Sequence, residues 1–217
     1  MHRSDVLDQG VTPQALRAAV SAGAVQRVRR SWIATPDAPA MLRAAAESTA
    51  RVACVSAARH RGWWMPPDAD AALHLHLSPH AARPRSGDAV HHWTLPIGVV
   101  HARRLIESVE DTLQHIADCQ RREVALVLWE DAVRIERLSP RLLQRVAWRS
   151  PAARDLASAL TGLMGSGSRT CSSRGSARGT CRWTCRYTVL RFSYVEVIHR
   201  WDVVEHALAR ALAQRRR

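Results

Sequence analysis

The sequence predicts an α+β fold arranged in three successive segments. Near the amino end, a capped amphipathic helix precedes an Arg-rich hairpin, and further on a stretch of alternating Leu and His predicts a strand. The segments before and after that strand in the sequence have apolar residues at helical spacing. We expect a helix-turn-helix unit over 1–36, a helical region with a small sheet over 37–150, and a separate segment over 151–217. The chain has 217 residues, which is long enough to bury a hydrophobic core.

The amino-terminal segment has the pattern of a helix followed by a basic hairpin. Thr12 is placed to cap the helix and Pro13 suits its first position, because a missing N–H is harmless there. Gly23 can adopt the left-handed conformation that closes a helix. Residues 25–33 then predict two strands that reverse at an Arg-Arg-Ser turn. The apolar stripe of the helix would comprise Val11, Ala15, Leu16, Ala19 and Val20.

A shorter helix over residues 3–10, ended by Gly10, would precede this one. The order of helix, turn, helix and hairpin is that of a winged helix-turn-helix, in which the second helix enters the major groove of DNA. The alternative is a solvated basic surface without a ligand. The residues expected to contact DNA are Gln14 and Arg17 in the major groove, and Arg27, Arg29 and Arg30 on phosphates or in the minor groove.

The charge balance favours a polyanionic partner. The chain has 32 basic and 19 acidic residues, a formal charge of +13 and an isoelectric point near 11.3. All the basic residues are Arg, a bias that a GC-rich coding sequence explains equally well. The sequence has no apolar run of the roughly 18 residues that span a bilayer, so we expect a cytoplasmic protein without a membrane partner. Its five Cys, an odd number, favour reduced thiols over a disulfide framework.

The middle of the chain predicts a small sheet. Residues 73–77 alternate between Leu and His, which predicts a half-buried strand with its His side chains on the exposed face. Residues 89–95 would form the partner strand. His side chains on one strand face could converge on a metal, but neither Cys nor a carboxylate is placed to complete such a site, so we expect no metal here. The His residues concerned are His74, His76, His80, His91 and His92.

Several helices are expected around this sheet. Two of them would lie between Asp37 and Trp64 with a break near residues 48–51, and helices are also predicted over 123–133 and 140–148. Ser108 and Asp111 form a capping box in which each side chain would accept from a free amide at the start of a helix. The predicted core side chains are Met41, Leu42, Ala45, Val52, Val55, Ala58, Val109, Leu113, Ile116, Ala117, Leu126, Val127, Trp129, Leu142, Leu143 and Val146, with Trp63 and Trp64 as core or interface aromatics.

Residues 3–34 resemble the amino-terminal winged helix of the AbiEi family of antitoxin-type proteins. Ser31 and Ile33 replace a Gly and an aromatic residue of that family's wing, and the family's usual first helix would precede Met1. Residues 54–58, with His60 and Gly62 after them, resemble the helix that follows the wing. The resemblance implies an antitoxin-like transcriptional repressor of a toxin-antitoxin system, with double-stranded DNA and a cognate toxin as partners.

Residues 187–194 and the apolar spacing after them resemble the end of a Vsr-like (very short patch repair type) endonuclease domain, which implies an α/β restriction-endonuclease-like fold. Such enzymes hold Mg²⁺ with acidic residues on core strands. Here, no Asp or Glu lies between Asp155 and Glu196. We therefore expect a nuclease remnant without catalytic residues or a cofactor. The alternative is an active Mg²⁺-dependent DNA endonuclease that uses acids from elsewhere, such as Glu130, Asp131, Glu196 or Asp202.

The tract over 162–186 has an unusual composition. It is rich in Gly, Ser and Arg, contains three of the five Cys, and has no apolar periodicity. We hypothesise that it is an out-of-frame translation of the nuclease core. A natural disordered linker is one alternative. A zinc site from Cys171, Cys181 and Cys185 is another, although it would lack a fourth ligand.

Overall fold

A computed structural model of the chain describes residues 1–66, 69–81, 88–160 and 200–214. The chain divides into two units, Met1–Thr170 and Cys171–Arg217, which are described separately. The tract at 162–186, the strand predicted at 187–194 and the acid Glu196 lie outside the described residues.

The amino-terminal elements are those predicted. They are α1 (Arg3–Asp8), α2 (Pro13–Ser21), β1 (Gln26–Val28) and β2 (Trp32–Ala34). Thr12 Oγ1 accepts a 3.1 Å hydrogen bond from the Ala15 amide, which confirms the predicted cap. After each helix a glycine has a positive φ, Gly10 at +88° and Gly23 at +74°. The two strands pair antiparallel with Arg27 opposite Ile33.

The backbone of residues 1–3 extends this hairpin. The Ile33 amide donates to the Met1 carbonyl at 2.9 Å, and the Arg3 amide donates to the Ser31 carbonyl at 2.7 Å. The entry to α1 is therefore held against β2, which fixes α1 relative to the hairpin.

The predicted break between two helices after the hairpin is also present. It separates α3 (Ala40–Glu47) from α4 (Cys54–His60) and contains a short strand, β3 (Arg51–Val52). Val52 is buried as predicted, but it lies in this strand and not on the second of the two predicted helices. Its amide instead donates to the Leu105 carbonyl at 2.7 Å, so residues 105–107 run beside β3.

The central sheet has the order β3, β4 (His74–Leu77), β5 (Val90–Trp93). Strands β3 and β4 are antiparallel, whereas β4 and β5 are parallel with Leu75 opposite His91. The prediction that β4 is half-buried was wrong, because His74 and His76 are as inaccessible as Leu75 and Leu77. The leucine face packs on a small cluster that includes Ala45, Val52 and Ala57. The histidine face is covered by α5 (Val109–Cys119), whose His115 ring lies 4.7 Å from that of His76.

The larger hydrophobic core lies among helices. It is formed by α4, α5, α6 (Arg122–Ile135), α7 (Pro140–Leu143) and α8 (Pro151–Ala159). Trp129 is fully buried at its centre, donates from Nε1 to the Leu113 carbonyl at 3.1 Å, and packs against Trp148. Since Leu156 of α8 belongs to the same core, this helix packs with the segment that precedes it.

Some core predictions were wrong in detail. The helix predicted over 140–148 ends at Leu143, because the chain turns there and Trp148 Nε1 donates to the Leu143 carbonyl at 2.7 Å. As a result Leu142 is 62% exposed. Trp63 is buried as predicted, but Trp64 is 39% exposed.

The capping box at the start of α5 is half confirmed. Ser108 Oγ accepts from the Asp111 amide at 3.0 Å, as predicted. The Asp111 carboxylate instead accepts from the Ile97 amide at 2.6 Å, so it anchors the loop before the helix.

The second unit is described through α9 (Trp201–Gln214), on which Val204 is buried and Trp201 is exposed. Among the described residues, none of the helices combines the length and apolar character that crossing a bilayer requires.

Replacing Trp129 by Ala removes the largest buried side chain of the helical core. We expect Trp129→Ala to lower the free energy of unfolding by about 3 to 5 kcal/mol, because it leaves a cavity and removes the indole hydrogen bond to the Leu113 carbonyl. Leu142→Ala is the control and should change the free energy of unfolding by less than about 0.5 kcal/mol. Urea unfolding followed by circular dichroism measures both. Equal losses for the two variants would contradict the described packing.

Candidate nucleic-acid interface and buried histidine cluster

Helix α2 presents a polar face to solvent. Gln14 and Arg17 are exposed, and because they lie three residues apart they share one face of the helix. Leu16 points the other way and is 7% exposed, so it fixes the rotation of α2 on the hairpin. The first turn of α2 contains no acidic residue.

The apolar stripe predicted for α2 is only partly buried. Leu16 is buried, and Ala19 and Val20 are half-buried, but Val11 and Ala15 are exposed. These two residues border a cleft of about 520 Å³ that also touches β2 and α3, which explains why they remain accessible. The prediction was wrong for both.

The hairpin carries three exposed Arg side chains, Arg27, Arg29 and Arg30, above the buried Val28 and Ile33. Arg27 Nη2 donates to the Arg30 carbonyl at 3.2 Å, and Arg29 Nη1 donates to the Glu47 carbonyl at 2.8 Å. Glu47 is the last residue of α3, where carbonyl groups favour a cation. Two of the three guanidinium groups are therefore oriented by backbone contacts.

The charge of the amino-terminal segment is positive. Residues 1–36 contain five Arg and two acids, Asp5 and Asp8. Both acids pair with Arg103, which lies 3.1 Å from Asp5 and also contacts Asp8. Hydrogen bonds to Asp8 and Asp5 raise the pKa of Arg103. The acids of α1 are thus compensated from another part of the chain, and the exposed arginines of α2 and the hairpin give this surface a net positive charge.

A second group of polar side chains lies on the histidine face of β4 and is buried at Cys54 and His74 but exposed at Cys119. Cys54 begins α4, His74 begins β4, His92 lies on β5 and Cys119 ends α5. One sulfur or ring nitrogen from each lies within 4.8 Å of all the others. His74 Nδ1 is 3.0 Å from His92 Nε2 and 3.9 Å from the Cys119 sulfur. We call these four side chains the Cys2His2 cluster.

This cluster corrects an inference from the sequence. We expected neither Cys nor a carboxylate near His74 and His76, but the structure places two thiols and Glu107 beside them. His80 is exposed, and His91 lies beside Trp93 rather than in the cluster. The period-two pattern shows which residues share a strand face. It carries no information on the helix ends that cover that face.

An adjacent group consists of His76, Glu107 and His115. The fully buried Glu107 Oε2 lies 2.8 Å from His115 Nδ1 and 3.2 Å from His76 Nδ1. Thr94 Oγ1 contacts His115 Nε2 at 2.8 Å, and the Thr94 carbonyl lies 3.0 Å from His76 Nε2. Both ring nitrogens of His76 and of His115 therefore lie near Glu107 Oε2 or Thr94. The other Glu107 oxygen, Oε1, has a different partner.

The remaining Glu107 oxygen holds the start of α4. Oε1 accepts from the Cys54 amide at 2.8 Å, and Cys54 has a φ of +49°. Residues other than Gly adopt that conformation at a cost of about 1 to 3 kcal/mol, so the surrounding contacts must hold it in place. This backbone geometry turns the Cys54 side chain toward His74 and Cys119.

Burial and close contacts shift the acid-base properties of both groups. Burial raises the pKa of Glu107, but the hydrogen bond from His115 and the nearby His76 ring outweigh it and lower the value to about 2. Burial, assisted by the nearby His115 and His74, lowers the pKa of His92 to about 3. Hydrogen bonds from Cys54 and His74 lower the pKa of Cys119 to about 4, whereas burial raises that of Cys54 well above its usual value.

Three of the acids considered for an endonuclease, Glu130, Asp131 and Asp202, lie within the described residues. Glu130 is buried in α6, and Asp131 on the same helix binds Arg134 and the Trp64 amide. Asp202 is exposed on α9 in the second unit. Within the described ranges, none of these three belongs to a group of potential metal ligands.

Comparison of the chain with protein-family models, curated proteins and solved structures found no match.

Proposed function

We propose that this protein binds double-stranded DNA through residues 1–36, with α2 in the major groove and the β1–β2 hairpin along the phosphate backbone. The observation that carries the proposal is the exposed pair Gln14 and Arg17 on a helix directly followed by a hairpin with three exposed arginines. The positive charge of the chain supports the same partner.

The dimensions and chemistry of α2 suit this role. An α-helix with its side chains is about 10 to 12 Å across, so α2 fits a major groove about 12 Å wide. Gln side chains can bind adenine, and Arg side chains can bind guanine, each with two hydrogen bonds. Without acids in its first turn, the positive end of the α2 dipole can approach phosphate without repulsion.

The hairpin would supply affinity more than sequence discrimination. Arg is the side chain best suited to phosphate, because its planar guanidinium group can donate two parallel hydrogen bonds. Backbone contacts already orient Arg27 and Arg29 in the free protein. Part of the entropy cost of ordering these side chains on binding is therefore removed in advance.

The biological role we propose follows from the resemblance of residues 3–34 to AbiEi-type antitoxins. A transcriptional repressor of this kind would bind an operator sequence, including that of its own operon, and pair with a toxin. The described acids offer no support for the alternative of a Mg²⁺-dependent endonuclease.

Loss of the two arginines at the hairpin tip should weaken DNA binding. For Arg29→Ala combined with Arg30→Ala, we expect weaker binding to every duplex. The slope of log binding constant against log salt concentration should become less steep by up to about 0.9 for each phosphate contact that is lost. Fluorescence anisotropy across a salt series measures both. The control is Arg141→Ala with Arg145→Ala, which removes equal charge from exposed positions at and after α7. A similar loss in the control would contradict a specific role for the hairpin.

Gln14 should affect sequence discrimination. A preferred duplex is first selected with the wild-type protein from a randomised pool. We expect Gln14→Ala to weaken binding to that duplex by about 1 to 3 kcal/mol while leaving affinity for random DNA nearly unchanged. Gln144→Ala, at an exposed position outside the proposed interface, should change neither affinity. Unaltered discrimination by Gln14→Ala would argue against α2 as the recognition helix.

The purified protein should bind supercoiled plasmid without nicking it. We expect no Mg²⁺-dependent conversion to the open circle, because the described acids do not converge on a divalent cation. Gel electrophoresis with and without Mg²⁺ measures this, and Glu130→Gln and Asp131→Asn serve as controls for contaminating nucleases. Nicking that requires either of these acids would establish the endonuclease alternative.

A further inference from the structure

We propose that the Cys2His2 cluster is a structural zinc site. It lies in the sheet and helix layer of residues 51–119, apart from the elements proposed to bind DNA. Its four ligands are Cys54 Sγ, His74 Nδ1, His92 Nε2 and Cys119 Sγ.

The spacing of these atoms fits one tetrahedral ion. With Zn–N bonds of about 2.0 Å and Zn–S bonds of about 2.3 Å, ligand atoms lie roughly 3.3 Å apart for two nitrogens and about 3.8 Å for two sulfurs. His74 Nδ1 and His92 Nε2 are 3.0 Å apart, and His74 Nδ1 and the Cys119 sulfur are 3.9 Å apart. All four atoms fall within 4.8 Å of one another. Side-chain movements of about 1 Å or less would bring these separations to the tetrahedral values.

The types of ligand atom in the cluster favour zinc over other metals. Two thiolate sulfurs with two imidazole nitrogens are the ligands of structural zinc sites, whereas Mg²⁺ and Ca²⁺ require oxygen. Two thiolates also neutralise the charge of Zn²⁺, which favours its burial. Because the protein fills all four positions, no open position remains for water or substrate, and the role is structural rather than catalytic.

A carboxylate outside the cluster orients one ligand. His74 Nε2 lies 3.1 Å from Asp70 Oδ2, and the other oxygen of that carboxylate accepts from the Ala72 amide at 2.8 Å. A proton held on Nε2 by Asp70 leaves the Nδ1 lone pair directed at the other three ligands. Metal-binding histidines regularly have such a partner on their second nitrogen.

The placement of the ligands explains what the ion would stabilise. They come from the start of α4, two neighbouring strands and the end of α5, so one ion would join four elements. The positive φ of Cys54 is a local strain that the metal bond can offset. Cys119 is exposed, which gives the ion a path from solvent.

The first experiment measures the zinc content of the full-length protein by mass spectrometry, after incubation with Zn²⁺ and dialysis. We expect about one zinc per chain. A variant with Cys171, Cys181 and Cys185 all changed to Ser should keep this zinc, since its ligands lie elsewhere. A wild-type protein without zinc, or complete loss in the triple variant, would overturn the proposal. So would a Cys54 to Cys119 disulfide in the protein as purified.

Paired variants separate coordination from folding. His92→Gln and Cys119→Ala should lose the zinc, whereas His91→Gln on the same strand should keep it. If a variant fails to fold, Co²⁺ bound to the wild-type protein provides the independent readout, because tetrahedral thiolate ligation gives visible bands and sulfur-to-metal charge transfer. Octahedral cobalt spectra would overturn the assignment. Removal of the ion by a chelator should lower the Tm by about 10 °C or more.

Discussion

The middle of this fold depends on one buried carboxylate, that of Glu107. It is inaccessible to solvent and accepts from the Cys54 amide while lying beside His76 and His115. An isolated carboxylate at this depth would be strongly destabilising, so the contacts to both histidines are required for the sheet and α5 to close around it. The position of α4, and with it the direction of the Cys54 side chain, follows from the same group.

The elements that the sequence predicted well are those that local interactions determine. Thr12 caps α2 and Gly23 closes it through contacts within a few residues, and the hairpin turn at Arg29 is equally local. The exposure of Gln14 and Arg17 followed from the same helical periodicity. For α2 and the hairpin, pattern and structure agree because contacts within a few residues determine these elements, except at the open cleft beside Val11.

Predictions failed where burial depends on a distant segment. His74 and His76 occupy the face that alternation assigned to solvent, and α5, more than 30 residues later, covers them. Cys119 could be recognised as a helix-end residue, but only tertiary packing brings it to 3.9 Å from His74. The prediction that Leu142 is buried failed in the opposite direction, because this side chain is exposed. The turn after Leu143 directs Trp148 inward and leaves Leu142 in solvent.

The ion pairs of Arg103 have a consequence for the order in which the protein is assembled. Helix α1 contains Asp5 and Asp8, whose shared partner follows them by more than 90 residues. At about 5 to 20 residues per second, a ribosome takes on the order of ten seconds to synthesise the intervening chain. During that interval the first helix carries two uncompensated acids beside its hairpin. The amino-terminal segment, residues 1–36, therefore reaches its final charge distribution only after the central sheet has been synthesised.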